Sequence, residues 1–322
     1  MISEKILLDE SNPKVYVNTY LLENSGEYNT DKLRPAVLIL PGGGYEMTTD
    51  REAEFVALAF AAKGYHAFVL RYSVKENAKM PRPIIEAFQT IKLIRERSDE
   101  WYVDSDKLTV CGFSAGGHLA SCTLTMWNDP VFMEAVGADS SFIRPDAGIL
   151  SYPCIVFPFR TDPVKTDYAE DMLDEVIKQA LPDLQLDSAE DAGDLIYADE
   201  GFVWMDFAKI FNRLLMGKKD FTMEEIKKYS TDLRVNADTP PTFVWTTRTD
   251  QTVPAEDSLA FVNAMVKNGC DVEFHMFGDG IHGLSLAEEQ TSGAAELICP
   301  HVAKWFPLAL EWLDGILEKK YY

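Results

Sequence analysis

Behind the apolar, β-branched run Leu108-Thr109-Val110-Cys111 the chain reads Gly112-Phe113-Ser114-Ala115-Gly116-Gly117-His118, and a helix-like stretch follows at once. A strand that ends in G-x-S-x-G and turns straight into a helix leaves its backbone few options. Gly112 and Gly116 carry no Cβ, so the chain can double back sharply and lift the Ser114 oxygen above the sheet. The Ala115 N–H then points at the same spot from a helix N-terminus. A serine hydroxyl is a poor nucleophile unaided, so this elbow predicts a neighbouring base and a place where oxyanion charge can develop.

The flanking sequence predicts the scaffold such an elbow needs. Short apolar runs alternate with amphipathic stretches, the pattern of helices flanking a mainly parallel sheet. Segments 5–8 and 15–21 read as strands of an antiparallel edge. Ala36-Val37-Leu38-Ile39-Leu40 reads as a buried strand delivering the loop Pro41-Gly42-Gly43-Gly44. A helix follows, with Phe55, Leu58, Ala59 and Ala62 on one face and Gly64 as its stop. Further strands are expected at 67–70, 108–111, 147–151, 242–246 and 272–277. Helices are expected at 83–97, from Ser114 to Trp127, at 254–267 and at 301–318. The alternation breaks only at 155–229, which is acidic and helical in pattern, with helices expected at 171–181, 201–216 and 222–229. The 322 residues therefore read as a single domain, 1–322, with a helical insertion, 155–229, laid over one end of the sheet.

Composition removes several kinds of partner. Thirty Lys and Arg against 52 Asp and Glu leave a net charge of −22, so the average surface repels nucleic acid and anionic lipid. Five scattered cysteines with no C-x-x-C spacing are expected as reduced thiols, and no metal or other cofactor is expected. The N-terminus lacks a long apolar stretch, and no apolar run approaches membrane-spanning length, so a cytoplasmic protein is expected. The oligomeric state stays open, a homodimer included.

Two more signals fall where the elbow needs them. After the strand at 242–246 comes Thr249-Asp250-Gln251-Thr252-Val253-Pro254, a carboxylate on a turn ahead of a helix. After the strand at 272–277 comes Gly278-Asp279-Gly280-Ile281-His282-Gly283. His282 carries an imidazole, which can take the Ser114 proton and return it to a leaving alcohol, and Asp250 can fix its tautomer. Asp250 also fits a helix cap, and Asp257 and Asp279 are alternative acids. Among the other histidines, His66 and His275 sit in strand patterns, His118 reads as a structural hydrogen-bonder, and His301 belongs to the terminal helix. Gly43 and Gly44 are the natural company for the Ala115 N–H in an oxyanion hole. The same glycines would fit a tight turn. A phosphate loop is disfavoured because the Lys and Ser/Thr that should follow are missing.

Pro41-Gly42-Gly43-Gly44-Tyr45, Gly112 through Ala120, Asp250 with Val253-Pro254, and His282-Gly283 together resemble the bacterial acetyl-esterase/lipase branch of the α/β-hydrolases, with its acetylxylan-esterase-like and feruloyl-esterase-like members. The order Ser114, Asp250, His282 is the order of that fold. The likeness runs over about 34–312 with the insertion excepted. It implies an α/β-hydrolase fold, Ser114, Asp250 and His282 as the catalytic triad, and Gly43, Gly44 and Ala115 as oxyanion donors. It departs from many relatives in having Pro41 where a histidine often stands, and Thr246-Thr247-Arg248 where a His-Gly pair often ends the strand before the acid. The function expected is a serine carboxylesterase acting on a small-molecule ester with a short acyl chain, an acetylated xylo-oligosaccharide foremost. Tyr45, Tyr152 and Trp204 are expected to line its pocket, with ordinary core packing the other reading. A peptidase of the prolyl-oligopeptidase kind and a non-catalytic binding protein of the same fold are the alternatives.

Overall fold

The computed structural model describes residues 1–27, 29–180 and 192–318. In chain order the described strands are β1 (Lys5–Leu7), β2 (Tyr16–Tyr20), β3 (Arg34–Leu40), β4 (His66–Arg71), β5 (Val103–Phe113), β6 (Ala147–Ser151), β7 (Val164–Ala169), β8 (Ile196–Asp199), β9 (Phe202–Met205), β10 (Thr242–Thr247) and β11 (Val272–Phe277). Eight of them form one sheet in the order β1-β2-β4-β3-β5-β6-β10-β11. The first two pair antiparallel at one edge, and every pairing from β4 onward is parallel. This is the mainly parallel sheet with an antiparallel edge that the sequence predicts.

Strands buried on both faces explain the unbroken apolar runs. Val37, Leu38, Ile39 and Leu40 are fully buried, and so are Ala67, Phe68, Val69 and Leu70. One face packs on helices Arg82–Glu96 and Ala115–Met126 through Phe88, Ile91 and Leu119. The other packs on helices Glu54–Ala61 and Trp305–Leu317 through Phe60, Trp305 and Trp245. Trp245 and Trp305 stack with ring centroids 5.2 Å apart. Burying aromatic side chains of this size stabilises the fold by about 2–3 kcal/mol each.

The order in which strands are added to the sheet reverses at β3. From there the chain crosses to β4 on one side, and it returns to β5 on the other before continuing outward to β6 and β10. A crevice opens at the carboxyl ends of strands flanking such a switch point. The register sets those ends in line: Leu40 pairs with Gly112, Phe113 with Ser151, Ser151 with Trp245, and Thr247 with Phe277. The loops carrying Gly42 to Gly44, Ser114, Asp250 and His282 therefore leave the sheet along one edge.

The insertion differs from the largely helical segment expected. It contains a three-stranded antiparallel sheet, β7-β9-β8, beside helices Leu173–Ala180, Phe207–Met216 and Met223–Lys227. The helix expected at 201–216 is a strand followed by a helix. Glu200 and Gly201 both have positive φ, which turns β8 into β9 as a two-residue hairpin. Asp206 then caps the helix by accepting the Lys209 N–H at 2.9 Å. Leu181, the last residue of the helix expected at 171–181, lies outside the described residues. The insertion also has an apolar cluster of its own, with Val176, Ile196, Val203, Ile210 and Leu214 in contact.

Candidate active site

Ser114 stands between β5 and its helix with φ 53° and ψ −118°, a backbone conformation costly for a residue with a side chain. The surroundings over-determine it. Its N–H donates to the Ser151 carbonyl at 3.0 Å, and its own carbonyl accepts from the His118 N–H at 3.0 Å. A Cβ at Gly116 would collide with the Leu40 carbonyl, and one at Gly112 with the Gly116 carbonyl, so both positions of the elbow need glycine.

Ser114 Oγ lies 2.8 Å from His282 Nε2, and His282 Nδ1 lies 2.6 Å from Asp250 Oδ2. A carboxylate can only accept, so Nδ1 carries the proton and Nε2 is left to accept from the serine hydroxyl. The other carboxylate oxygen of Asp250 accepts the Thr252 and Val253 N–H groups at 2.8 and 2.9 Å. Asp250 is thus the turn-capping carboxylate and the histidine's partner at once. The His282 loop is tied down by the departure noted in the sequence: Thr247 Oγ1 donates to the Gly280 carbonyl at 2.7 Å, and Thr249 Oγ1 accepts the Gly280 N–H at 2.9 Å.

The competing residues are occupied elsewhere. Asp257 accepts the Ile155 and Val156 N–H groups at 2.6 and 3.0 Å, and burial pushes its pKa up to about 6. Asp279 accepts from the Thr249 hydroxyl at 2.9 Å. His118 is fully buried, with Tyr45 Oη 2.9 Å from Nδ1 and the Tyr229 carbonyl 2.8 Å from Nε2; burial pushes its pKa down to about 4. His66 accepts the Leu22 N–H, and His275 pairs with Glu273. Gly43 and Gly44, at φ 126° and 63°, face the same opening as Ser114. Among the described residues, the N–H groups of Gly43, Gly44 and Ala115 make no hydrogen bond to the chain.

Two family models match parts of the chain: BD-FAE over residues 22–143 and the prolyl oligopeptidase family over 202–306. MGS-M1, an α/β-hydrolase enzyme from a deep-sea metagenome library of the Medee basin, is 31% identical, with a TM-score of 0.68 over 99% of this chain and 98% of that one. The chain belongs to the α/β-hydrolase family. The crystal structure of an acetyl ester-xyloside bifunctional hydrolase from Caldicellulosiruptor lactoaceticus aligns with this hydrolase at 28% identity and a TM-score of 0.68, over 97% of this chain and 96% of that one. Endo-1,4-beta-xylanase B of Butyrivibrio fibrisolvens is 29% identical over 266 residues, 82% of this chain and 34% of that protein. The chain spans less than half the length of the curated relatives it matches.

In this hydrolase the opening above Ser114 is a cavity of about 310 Å³. Its lining includes polar residues, Glu46, Thr49, Arg51 and Glu52, and apolar ones, Phe159, Phe207, Phe211 and Val253. The three phenylalanines come from the insertion. Asn212 fixes Phe159 against helix Phe207–Met216, accepting its N–H at 2.8 Å and donating to its carbonyl at 2.9 Å. None of the three aromatics expected at the pocket lines this cavity. Tyr45 and Tyr152 are buried, their hydroxyls turned to His118 and Glu52, and Trp204 lies on β9 with its indole N–H donating to the Asp199 carbonyl. Aromatic faces do pack on acyl and sugar surfaces, but a buried phenol needs a partner and turns toward one. The phenylalanines carried a weaker signal, an aromatic at the first turn of a helix and another four residues on, inside a segment whose fold was only partly legible. Among the described residues, no helix is long and apolar enough to cross a membrane.

Proposed function

We propose that the chain is a serine carboxylesterase that hydrolyses short-chain acyl esters through an acyl-enzyme, with acetyl groups on xylo-oligosaccharides as the substrate class. The observation that carries this reading is the continuous hydrogen-bond relay Ser114–His282–Asp250 opening onto a cavity of about 310 Å³. His282 Nε2 takes the Ser114 proton as Oγ attacks the ester carbonyl. The carbonyl oxygen gains charge and is received by the N–H groups of Gly43, Gly44 and Ala115. A donor of this kind is typically worth about 3 kcal/mol in the transition state. The imidazolium, stabilised by Asp250, then protonates the leaving alcohol. Water enters along the same path, gives a proton to Nε2 as it attacks the acyl carbon, and the imidazolium returns that proton to Ser114 Oγ as the acyl–oxygen bond breaks, releasing the acid and free serine. The cavity suits a small acyl group, and the acetyl ester-xyloside hydrolase among the structural neighbours supports the sugar side of the reading.

Acetate release from acetylated xylo-oligosaccharides, measured beside a series of p-nitrophenyl esters, tests the proposal. Wild type should release acetate and lose rate as the acyl chain grows, and Ser114→Ala should be inactive on both while keeping its fold. Retention of most activity in Ser114→Ala sinks the assignment. The prolyl oligopeptidase match over 202–306 favours one second reading, a peptidase built on the same relay. Faster turnover of prolyl peptide amides than of esters would select it.

A further inference from the structure

The turn at 50–52 lies between the two halves of the site and bonds to both. Glu52 is 2% exposed; its Oε2 accepts the Gly42 N–H at 2.7 Å and its Oε1 accepts the Tyr152 hydroxyl at 2.6 Å. The Tyr152 oxygen in turn accepts the Ser285 N–H at 2.9 Å. Gly42 opens the loop that presents Gly43 and Gly44, and Ser285 stands three residues after His282. One buried carboxylate therefore links the oxyanion loop to the histidine loop. The neighbouring residue repeats the connection on the histidine side: Arg51 Nη2 donates to the Gly283 carbonyl at 2.7 Å, and its own carbonyl accepts from Ser285 Oγ at 2.7 Å.

We propose that Glu52, acting through Tyr152, is a positioning residue that holds the oxyanion donors and His282 in register with each other during turnover. The inference rests on the hydrolase reading of the site and concerns the bonds that Glu52 makes to the two loops, not its place in the cavity lining. Three observations favour this role over plain packing. Burying a carboxylate is costly, and an apolar side chain would fill the same space more cheaply. The carboxylate is packed tightly between the two loops, since a Cβ on Gly42 would come within 2.8 Å of Glu52 Oε2 and of the Phe113 carbonyl and within 2.9 Å of Ser114 Cβ. Tyr152 is held at φ 38°, and its ring meets His282 edge-on at 5.0 Å, so it touches the imidazole with its ring and the following loop with its hydroxyl.

The Tyr152 hydroxyl donates to Glu52 while its oxygen receives the Ser285 N–H, and the other carboxylate oxygen accepts the Gly42 N–H. Burial pushes the Glu52 pKa up, and its hydrogen bonds from Tyr152 and Gly42, with His282 and Arg51 nearby, oppose that rise. Tyr72 and Cys111 also face this carboxylate, and burial keeps both neutral.

The test compares Glu52→Gln, Tyr152→Phe and the double variant in two assays: labelling of Ser114 by a small fluorophosphonate, and steady-state hydrolysis of p-nitrophenyl acetate. A misplacement of reacting groups by about 1 Å costs on the order of 10²-fold in rate, so Glu52→Gln should lose about that factor in kcat and in labelling rate while KM stays within about threefold. Tyr152→Phe removes one oxygen from a ring that is otherwise unchanged, and it should lose about tenfold in the same two quantities. The double variant should be no worse than Glu52→Gln alone, because both act along one chain of bonds. A folded Glu52→Gln or Tyr152→Phe with kcat within twofold of wild type, or losses that multiply in the double variant, overturns the proposal. If Glu52→Gln does not fold, the Tyr152→Phe result decides alone. Failure of the hydrolase reading shows separately, as wild type that is not labelled at Ser114.

Discussion

Asp250 presents its two carboxylate oxygens to different partners: Oδ2 to His282 Nδ1 at 2.6 Å, and Oδ1 to the backbone N–H groups of Thr252 and Val253. This division makes the effect of an amide predictable. In Asp250→Asn the side-chain oxygen keeps the two backbone donors, so the new NH₂ faces His282 Nδ1. The imidazole must then hold its proton on Nε2, where it can no longer accept from Ser114. We expect kcat to fall by about 10⁴ with little change in folding stability. Steady-state kinetics on p-nitrophenyl acetate beside a thermal melt checks this, and a loss of less than tenfold would mean that another carboxylate serves His282.

Gly43 has φ 126°, and a Cβ there would run into the Met47 carbonyl, while the Met47 N–H closes the same loop by donating to the Gly43 carbonyl at 3.1 Å. Gly43→Ala must therefore move the loop that carries two of the three proposed oxyanion donors. We expect kcat to fall by about 10² to 10³ while the Ser114–His282–Asp250 bonds survive. A crystal structure of the variant with the relay intact, together with kinetics, separates this from general misfolding. Unchanged kcat would remove Gly43 and Gly44 from the hole.

The parts of the site that were legible in the sequence are those fixed by steric necessity. Gly112 and Gly116 could be read because the elbow tolerates no Cβ, and strand ends at Leu40, Cys111 and Thr246, each within two residues of the observed end, because parallel strands buried on both faces leave continuous apolar runs. Glu52 was not legible. A carboxylate in a polar stretch looks like a solvated surface group, and only the fold brings Tyr152 to it, a hundred residues away in the chain. The insertion was misread at 201–216 because Phe202–Met205 and Phe207–Met216 form one long apolar-periodic stretch, and the Glu200-Gly201 hairpin turn that separates β8 from β9 was overlooked. Tyr45 failed as a pocket residue for a related reason. Its ring sits in the core and its hydroxyl is claimed by His118, a pairing between residues far apart in the chain.

Phe207 gives the insertion a measurable effect on specificity. It is the first residue of its helix, is 40% exposed, and lines the same cavity as Ser114. Its truncation should cost little stability and lengthen the space beside the acyl carbon. We expect Phe207→Ala to raise the ratio of kcat/KM for p-nitrophenyl octanoate over acetate by about tenfold, the size of effect that a few methylene contacts carry. A ratio unchanged across the ester series would place the acyl group against the polar part of the lining, beside Thr49 and Arg51.

Asp257 couples the start of the insertion to pH. Its Oδ2 holds the Ile155 and Val156 N–H groups, and burial lifts its pKa from the ordinary 3.8 to about 6. Because the native state binds this proton more tightly than the unfolded chain does, the group's contribution to stability is complete below the unfolded value and is lost as pH rises through about 6. Asp257→Asn keeps an oxygen for both N–H groups and cannot ionise. Relative to wild type, the variant should therefore gain stability by about 2 kcal/mol between about pH 4.5 and about pH 8. Urea unfolding of both proteins at each pH measures this. Taking the difference within each pH cancels His66 and His118, whose lowered pKa values near 4 act in the opposite sense, costing stability as pH falls. A difference that stays constant with pH would mean that Asp257 remains as acidic in the folded protein as it is in the unfolded chain.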